Sequence, residues 1–287
     1  MAIHPTAVID RQAEIDPTAE IGPYVIIEGP VKIAAHTQVR AHAYLSGWTE
    51  IGERCDIHPL AVVGHMPQDF HYGGERSYCK IGNGVVIRES ATVHRGTQPE
   101  STTWVGDECF LLAHSHVGHN CRLGRGVKVY NMAALSGHVE ADDFAIISGY
   151  GAVHQFTRIG RYAFVAGGAR ALMDVPPFMT CYGVSTIVQY NAIGMRRAGF
   201  DTAAINEIRR AFRLLYGSGI PFSRAATQLA ETVETDAGRM LVEFLQAESK
   251  RGYCAGSRSH RSAPEWSEAG AQDIPGEADT EATPEQA

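Results

Sequence analysis

IHPTAVIDRQAEIDPTAEIGPYVIIEGPVKIAAHTQVRAHAYLSGWTEIGERCDIHPLAVV, residues 3–63, puts an aliphatic side chain at every sixth position: Ile3, Ile9, Ile15, Ile21, Ile27, Ile33, Val39, Leu45, Ile51, Ile57 and Val63. Four residues after each comes a slim one, as at Ala7, Ala13, Ala19, Val25, Val31, Thr37, Ala43, Thr49, Cys55 and Ala61. Neither strand alternation nor the helical period generates this spacing. A six-residue period with one buried aliphatic per repeat is the mark of a parallel β-helix. Three such hexapeptides close a triangular coil of 18 residues, and coils stack at the strand spacing of about 4.8 Å. Gly, Asp, Asn and Pro gather between the aliphatics (Asp16 and Pro17, Gly22 and Pro23, Gly52, Gly106 and Asp107, Gly124, Gly160), where corners need permissive backbone.

The rhythm returns at Ile81, Ile87 and Val93 and runs from Val105 to Val165. Two stretches break it. Residues 64–80, GHMPQDFHYGGERSYCK, put Asp69 and Glu75 where aliphatics belong, and residues 94–104, HRGTQPESTTW, interrupt it more briefly. Both are expected to leave the prism as loops, and loops held by a rigid scaffold are common places for binding groups.

The prism is expected to span 1–175, and a helical appendage 176–251. Asp201 suits the N-cap of a helix carrying Ile205, Ile208, Phe212 and Leu215 inward; Ser223 suits the cap of a second; a third holds Met240, Leu241, Phe244 and Leu245. Residues 252–287 turn to Ser, Pro, Glu, Ala and Gly, the composition of a disordered acidic tail. Seven acids against two arginines leave that tail at −5 of the chain's formal −7, so no general nucleic-acid affinity is implied. No stretch reads as a membrane span or a signal peptide, and a cytoplasmic location is expected. The six cysteines agree, since Cys55, Cys109 and Cys121 fall on slim core positions and form neither a disulfide framework nor a CxxC site.

Five histidines, His114, His116, His119, His138 and His154, crowd the most regular part of the repeat and could line one groove. Zinc binding, a non-catalytic trimeric scaffold and acid–base catalysis are the three uses such a cluster could serve. For zinc, His114 and His119 have a suitable spacing. Gamma-class carbonic anhydrases, however, also need a third histidine about two coils upstream, where a count by 18 finds Tyr78. No metal is therefore expected.

HSHVGHNC (114–121), LSGHVEADDFAIISGYGAVHQF (135–156), DVPPF (174–178), GMRRAGF (194–200), IRESATVHRGT (87–97) and the PQDFHYGGE loop together resemble the UDP-N-acetylglucosamine O-acyltransferases that open lipid A synthesis. The resemblance covers about residues 1–250 and implies a left-handed parallel β-helix that works as a homotrimer. It implies transfer of a 3-hydroxyacyl chain from acyl carrier protein to the sugar nucleotide's 3-hydroxyl, without cofactor or metal. His119 is then the general base and the Gly137 N–H the oxyanion donor. Gln68, Asp69, His71, His116, His138, His154, Gln155, Asn191 and Arg197 become substrate contacts, and Gly167 and Ser185 line the acyl groove. Glycine at 167 and the small Ser185 leave room for a donor of about fourteen carbons or more, each buried methylene being worth about 0.8 kcal/mol. Arg196, Arg209, Arg210 and Arg213 would offer a basic face to the acidic carrier.

This chain departs from the family pattern at His71, Asn120, Ile193 and Ala198, where the family has a lysine, an acid, often a glutamate, and an arginine. The sister enzymes that N-acylate the next glucosamine intermediate share the prism, but they carry a separate N-terminal uridine-binding domain, whereas here the repeats start at Ile3.

Overall fold

The computed structural model describes residues 2–257. It is a left-handed parallel β-helix. Strands two to four residues long form three parallel faces that begin with Ala2–Ile3, Val8–Ile9 and Glu14–Ile15. Ala2 pairs with Glu20, Val8 with Ile26 and Glu14 with Lys32, so each coil is 18 residues. The sixth-residue aliphatics fill the prism: Ile27, Leu45, Ile57, Ile87, Leu111, Leu135 and Ile147 are almost wholly buried, and the slim residues sit beside them. Ile3 is 37% exposed because no coil lies beneath the first.

The corners are less permissive in sequence than expected. Their left-handed positions are filled mostly by large residues, among them Tyr24, His42, Leu60, His138, Phe144, Phe156, Tyr162 and Phe178. Left-handed backbone costs such residues about 1–2 kcal/mol each. Stacking offsets part of that, because residues one coil apart lie over one another. Tyr24 stacks on His42 at 5.1 Å, His138 on Phe156 at 4.7 Å and Phe144 on Tyr162 at 5.0 Å.

Both predicted excursions are present. Thr49 pairs with Cys79 and Cys79 with Thr103, so two successive coils take 30 and 24 residues in place of 18. This shifts the stacking upstream of the histidines. Val62 pairs with Thr92 and Thr92 with His116, which puts Leu60, not Tyr78, two coils beneath His114.

The expected helical appendage begins instead with an antiparallel hairpin, Met179–Tyr182 and Thr186–Tyr190, that extends the first face. Helices α1 (Ala192–Arg197), α2 (Thr202–Gly217), α3 (Phe222–Ala230) and α4 (Asp236–Gln246) follow. Asp201 caps α2 by accepting from the Ala204 N–H at 2.8 Å. Ser223 does not cap α3: Pro221 holds that position without a side-chain bond, and Ser223 lies inside the first turn. Glu207 on α2 accepts from the Glu234 and Thr235 N–H groups at 2.8 and 3.0 Å and so fixes the start of α4.

The tail expected from residue 252 starts later. Cys254 is buried and Ala255–Gly256 pairs with Thr186–Ile187, because Cys254 N–H reaches the Asp174 carbonyl at 2.9 Å and closes the end of the prism. The rest of that expectation, residues 258–287, lies outside the described residues.

Candidate active site

His119 stands at the corner between the second and third faces, next to both insertions. Its ring is largely enclosed, with its side chain 14% exposed. Nδ1 lies 2.9 Å from Asn120 Oδ1. That oxygen also meets the Thr97 backbone N–H at 3.1 Å and the Thr97 hydroxyl at 2.9 Å. A backbone N–H can only donate, so the Asn120 atom is the carbonyl oxygen and His119 Nδ1 carries the proton. Nε2 is left with its lone pair, facing Asp69 Oδ2 at 3.8 Å. The imidazole N–H thus meets a neutral acceptor at Asn120, where the family has an acid, buttressed by Thr97 from the second loop and by Thr103 Oγ1, which accepts the Asn120 N–H at 2.7 Å.

Gly137 is one coil on, and its missing side chain is what makes room for the imidazole. A Cβ there would overlap Cε1 and Nε2 of His119, and even Nδ1 would be only 2.9 Å away. Gly118 lets the two coils approach in the same way, since a Cβ there would lie 2.9 Å from Gly137 N. The Gly137 carbonyl accepts from the Phe156 N–H at 3.2 Å, while its own N–H meets no acceptor among the described residues. A free N–H beside a free imidazole lone pair can serve an oxyanion and a proton in one reaction.

Asp69 comes from the first loop. The His71 backbone N–H at 3.0 Å holds its carboxyl below the usual carboxylate range, with the His71 ring 3.2 Å away and His119 adding to the effect. It is therefore an anion at neutral pH. Gln68 and His71 are exposed beside it.

His138 packs edge-on to His119 at 5.2 Å, and burial, then the nearby His119 and Lys250, push it toward the neutral form. His116 receives a 2.7 Å contact from Thr92 Oγ1 and is also kept neutral, chiefly by burial. His154 leans on the Gln155 carbonyl at 3.1 Å, and Gln155 itself is exposed. His114 is not part of the group. It lies at the corner between the first and second faces, in the column of Leu60, Ser90, Met132 and Tyr150, so the five histidines do not line one groove. Among the described residues no set of three His, Cys, Asp or Glu side chains is placed to hold a metal ion.

Asn191 has a structural task. Its Oδ1 accepts the Gly194 N–H at 2.9 Å, capping α1, and its Nδ2 donates to the Tyr162 carbonyl at 3.0 Å. Arg197, at the end of α1, is exposed. Gly167 occupies the same corner as His114, with open space in front: a Cβ there would meet nothing closer than the Gly149 carbonyl at 3.5 Å. Ser185 sits in the hairpin turn and accepts the Leu172 N–H at 2.8 Å, three coils along the corner from His119.

Sequence reasoning passed over Thr97, Thr103 and His94. His94 is 5% exposed, 4.8 Å from the His116 ring, and pushed down to about 4 by burial and by His116. The signal for His94 was its register with His65, one coil below across the first insertion, and its ring contact with His116, neither of which a count by 18 finds.

An imidazole with a free lone pair beside a free N–H, on a hexapeptide prism, fits the class of hexapeptide-repeat acyltransferases. Residues 174–254 match the family model described as UDP N-acetylglucosamine O-acyltransferase, domain 2. A Rhizobium etli protein named acyl-[acyl-carrier-protein]–UDP-N-acetylglucosamine O-acyltransferase is 40% identical over 262 residues, 90% of this chain and 96% of its own length. A Burkholderia orbicola protein of the same name is 41% identical, covering 87% and 98%. The structure of the Francisella novicida UDP-N-acetylglucosamine acyltransferase superposes with a TM-score of 0.85 at 31% identity, over 94% of this chain and all of that one. The chain belongs to the UDP-N-acetylglucosamine O-acyltransferase family.

Proposed function

We propose that the protein transfers a 3-hydroxyacyl group from acyl carrier protein to the 3-hydroxyl of UDP-N-acetylglucosamine, the first step of lipid A synthesis. The observation that carries this reading is the His119 ring, protonated at Nδ1 against Asn120 and open at Nε2 beside Gly137 and Asp69.

Nε2 takes the proton of the sugar hydroxyl as that oxygen bonds to the thioester carbon. The carbonyl π pair moves onto oxygen, and the Gly137 N–H donates to the oxyanion. Collapse breaks the carbon–sulfur bond, and the imidazolium returns its proton to the departing pantetheine thiol. The Asp69 anion near Nε2 favours the imidazolium in between and can accept from a neighbouring substrate hydroxyl. The acyl group arrives activated as a thioester, so these steps call for no metal or organic cofactor. Gln68, His71, His116, His138, His154, Gln155 and Arg197 border the sugar nucleotide and pantetheine in this reading, with Asn191 acting through α1.

One prism leaves the His119 corner without an opposing wall, and a homotrimer whose three-fold contact closes into a ring supplies it. Gly167 and Ser185 then shape the acyl groove from beside that contact. Among the described residues no helix is long and apolar enough to cross a membrane, and a cytoplasmic enzyme drawing on the carrier pool fits the reaction.

The test is mass spectrometry of the product from UDP-N-acetylglucosamine and a panel of hydroxyacyl carriers, followed by mild alkali. An alkali-labile ester at the 3-position supports the reading. An alkali-stable amide, or no transfer from any carrier, refutes it.

A further inference from the structure

Beyond His138 the site's corner continues into a side chain that the mechanism above does not use. His138 packs on His119 at 5.2 Å, Phe156 on His138 at 4.7 Å, and Lys250 Nζ sits 5.3 Å over the Phe156 ring. Lys250 lies in the short link between α4 and the strand Ala255–Gly256. Its neighbours are committed: Arg251 Nε donates to the Leu172 carbonyl at 3.2 Å, and the Gly252 N–H donates to Ser249 Oγ at 2.8 Å. The backbone is thereby pinned to the prism. The exposed ammonium, by contrast, pairs with no carboxylate among the described residues. A ring face worth about 0.5–1 kcal/mol at an exposed site holds the cation in place without neutralising it.

Charge makes the position significant. Burial pushes His138, His116 and His94 all toward the neutral imidazole, so these three bring no positive charge at neutral pH. Asp69 adds a negative charge beside His119. A dianionic substrate bound here needs a permanent cation away from Asp69. A pyranose carries its 3-hydroxyl and its anomeric diphosphate on different sides of one ring. With the hydroxyl at His119, the diphosphate lies within one or two coil spacings of about 4.8 Å, a reach that takes in the Phe156 end of the corner.

We propose that Lys250 is a phosphate-binding residue of the site, holding the diphosphate of the sugar nucleotide while its stem rests on Phe156. This rests on the proposed function for the identity of the ligand. Lys250 touches the part of the substrate that does not react, so it contributes to binding in the ground and transition states alike and raises affinity rather than turnover.

The experiment titrates UDP into the full-length protein by calorimetry and measures steady-state acyl transfer, in wild type, Lys250→Gln and Lys250→Arg. Lys250→Gln is expected to raise the Kd of UDP and the KM for UDP-N-acetylglucosamine about tenfold, the loss of about 1.4 kcal/mol, with kcat and the KM for the acyl carrier unchanged. Lys250→Arg is expected to restore most of the affinity, because guanidinium keeps the charge and the ring contact. Unchanged UDP affinity in Lys250→Gln overturns the proposal. So does a rise confined to the carrier KM, which would assign the lysine to the pantetheine phosphate. If wild type transfers no acyl chain, the functional reading falls by itself, and the calorimetric comparison still decides the role of Lys250.

Discussion

Replacing Gly137 by alanine separates the two parts that this residue plays. The backbone N–H that we propose faces the oxyanion survives the substitution; what is added is one methyl group, placed against the His119 ring. Carbon–carbon contacts settle near 3.5–4.0 Å, whereas this methyl would overlap Cε1 and Nε2 and stand 2.9 Å from Nδ1. The Gly137 backbone is held by the coil above through its carbonyl bond from Phe156, so the ring is what moves, by about 1 Å or more. Displacement of that size costs on the order of 100-fold in rate when it misaligns reacting groups. It also stretches the 2.9 Å contact from Nδ1 to Asn120, whose net worth is about 1 kcal/mol, so the fold should lose little stability. The expected result for Gly137→Ala is a kcat lower by about two orders of magnitude with a melting temperature within a few degrees of wild type. Acyl transfer under saturating substrates and a thermal melt on the same preparation measure both. A variant with kcat within threefold of wild type would refute the idea that the base is positioned against this glycine.

His119→Ala should lose roughly two to four orders of magnitude in turnover, the range for a removed general base, with circular dichroism unchanged; most activity surviving in a folded variant would dispose of the mechanism. Gly167→Met should shift donor preference toward shorter 3-hydroxyacyl chains, read from competition among carriers, because the space in front of this residue is open; no shift would place the end of the groove elsewhere. His94 links folding to pH: its folded form is neutral down to about 4, so the unfolded chain binds the extra proton. That stability is complete above the unfolded value of about 6.5 and is lost as pH falls from there toward 4, by roughly 3 kcal/mol. Denaturant titrations of His94→Leu should therefore show a shallower loss of stability between pH 6.5 and 4 than wild type. An identical slope would mean that other groups carry the acid sensitivity.

The prism was legible because its determinant is one-dimensional: a buried aliphatic every six residues can be read without knowing what any coil touches, and Ile21 through Val63 are all nearly inaccessible where that period puts them. Stacking is legible on the same terms only while the period holds. His119 and Gly137, 18 apart with no insertion between them, were placed correctly against each other. Upstream, the coils of 30 and 24 residues defeat counting, which is why Tyr78 was set beneath His114 and why the pairing of His65 with His94, whose ring packs on His116, went unseen. The contacts that tune the base were invisible for a related reason. Thr97 reaches Asn120 from a loop whose path follows from the turn chemistry of residues 95–101, and no periodicity describes that path. Asn191 shows what a motif match leaves out, since an asparagine three residues before a helical glycine is also an N-cap, and in the structure its amide bonds to Gly194 and Tyr162. The insertions that break the sequence pattern are thus the same segments that build the site. The regular coils provide the imidazole and the glycine at a fixed spacing, and the irregular ones bring in Asp69, whose carboxylate lies 3.8 Å from Nε2, and Thr97, which fixes the tautomer through Asn120.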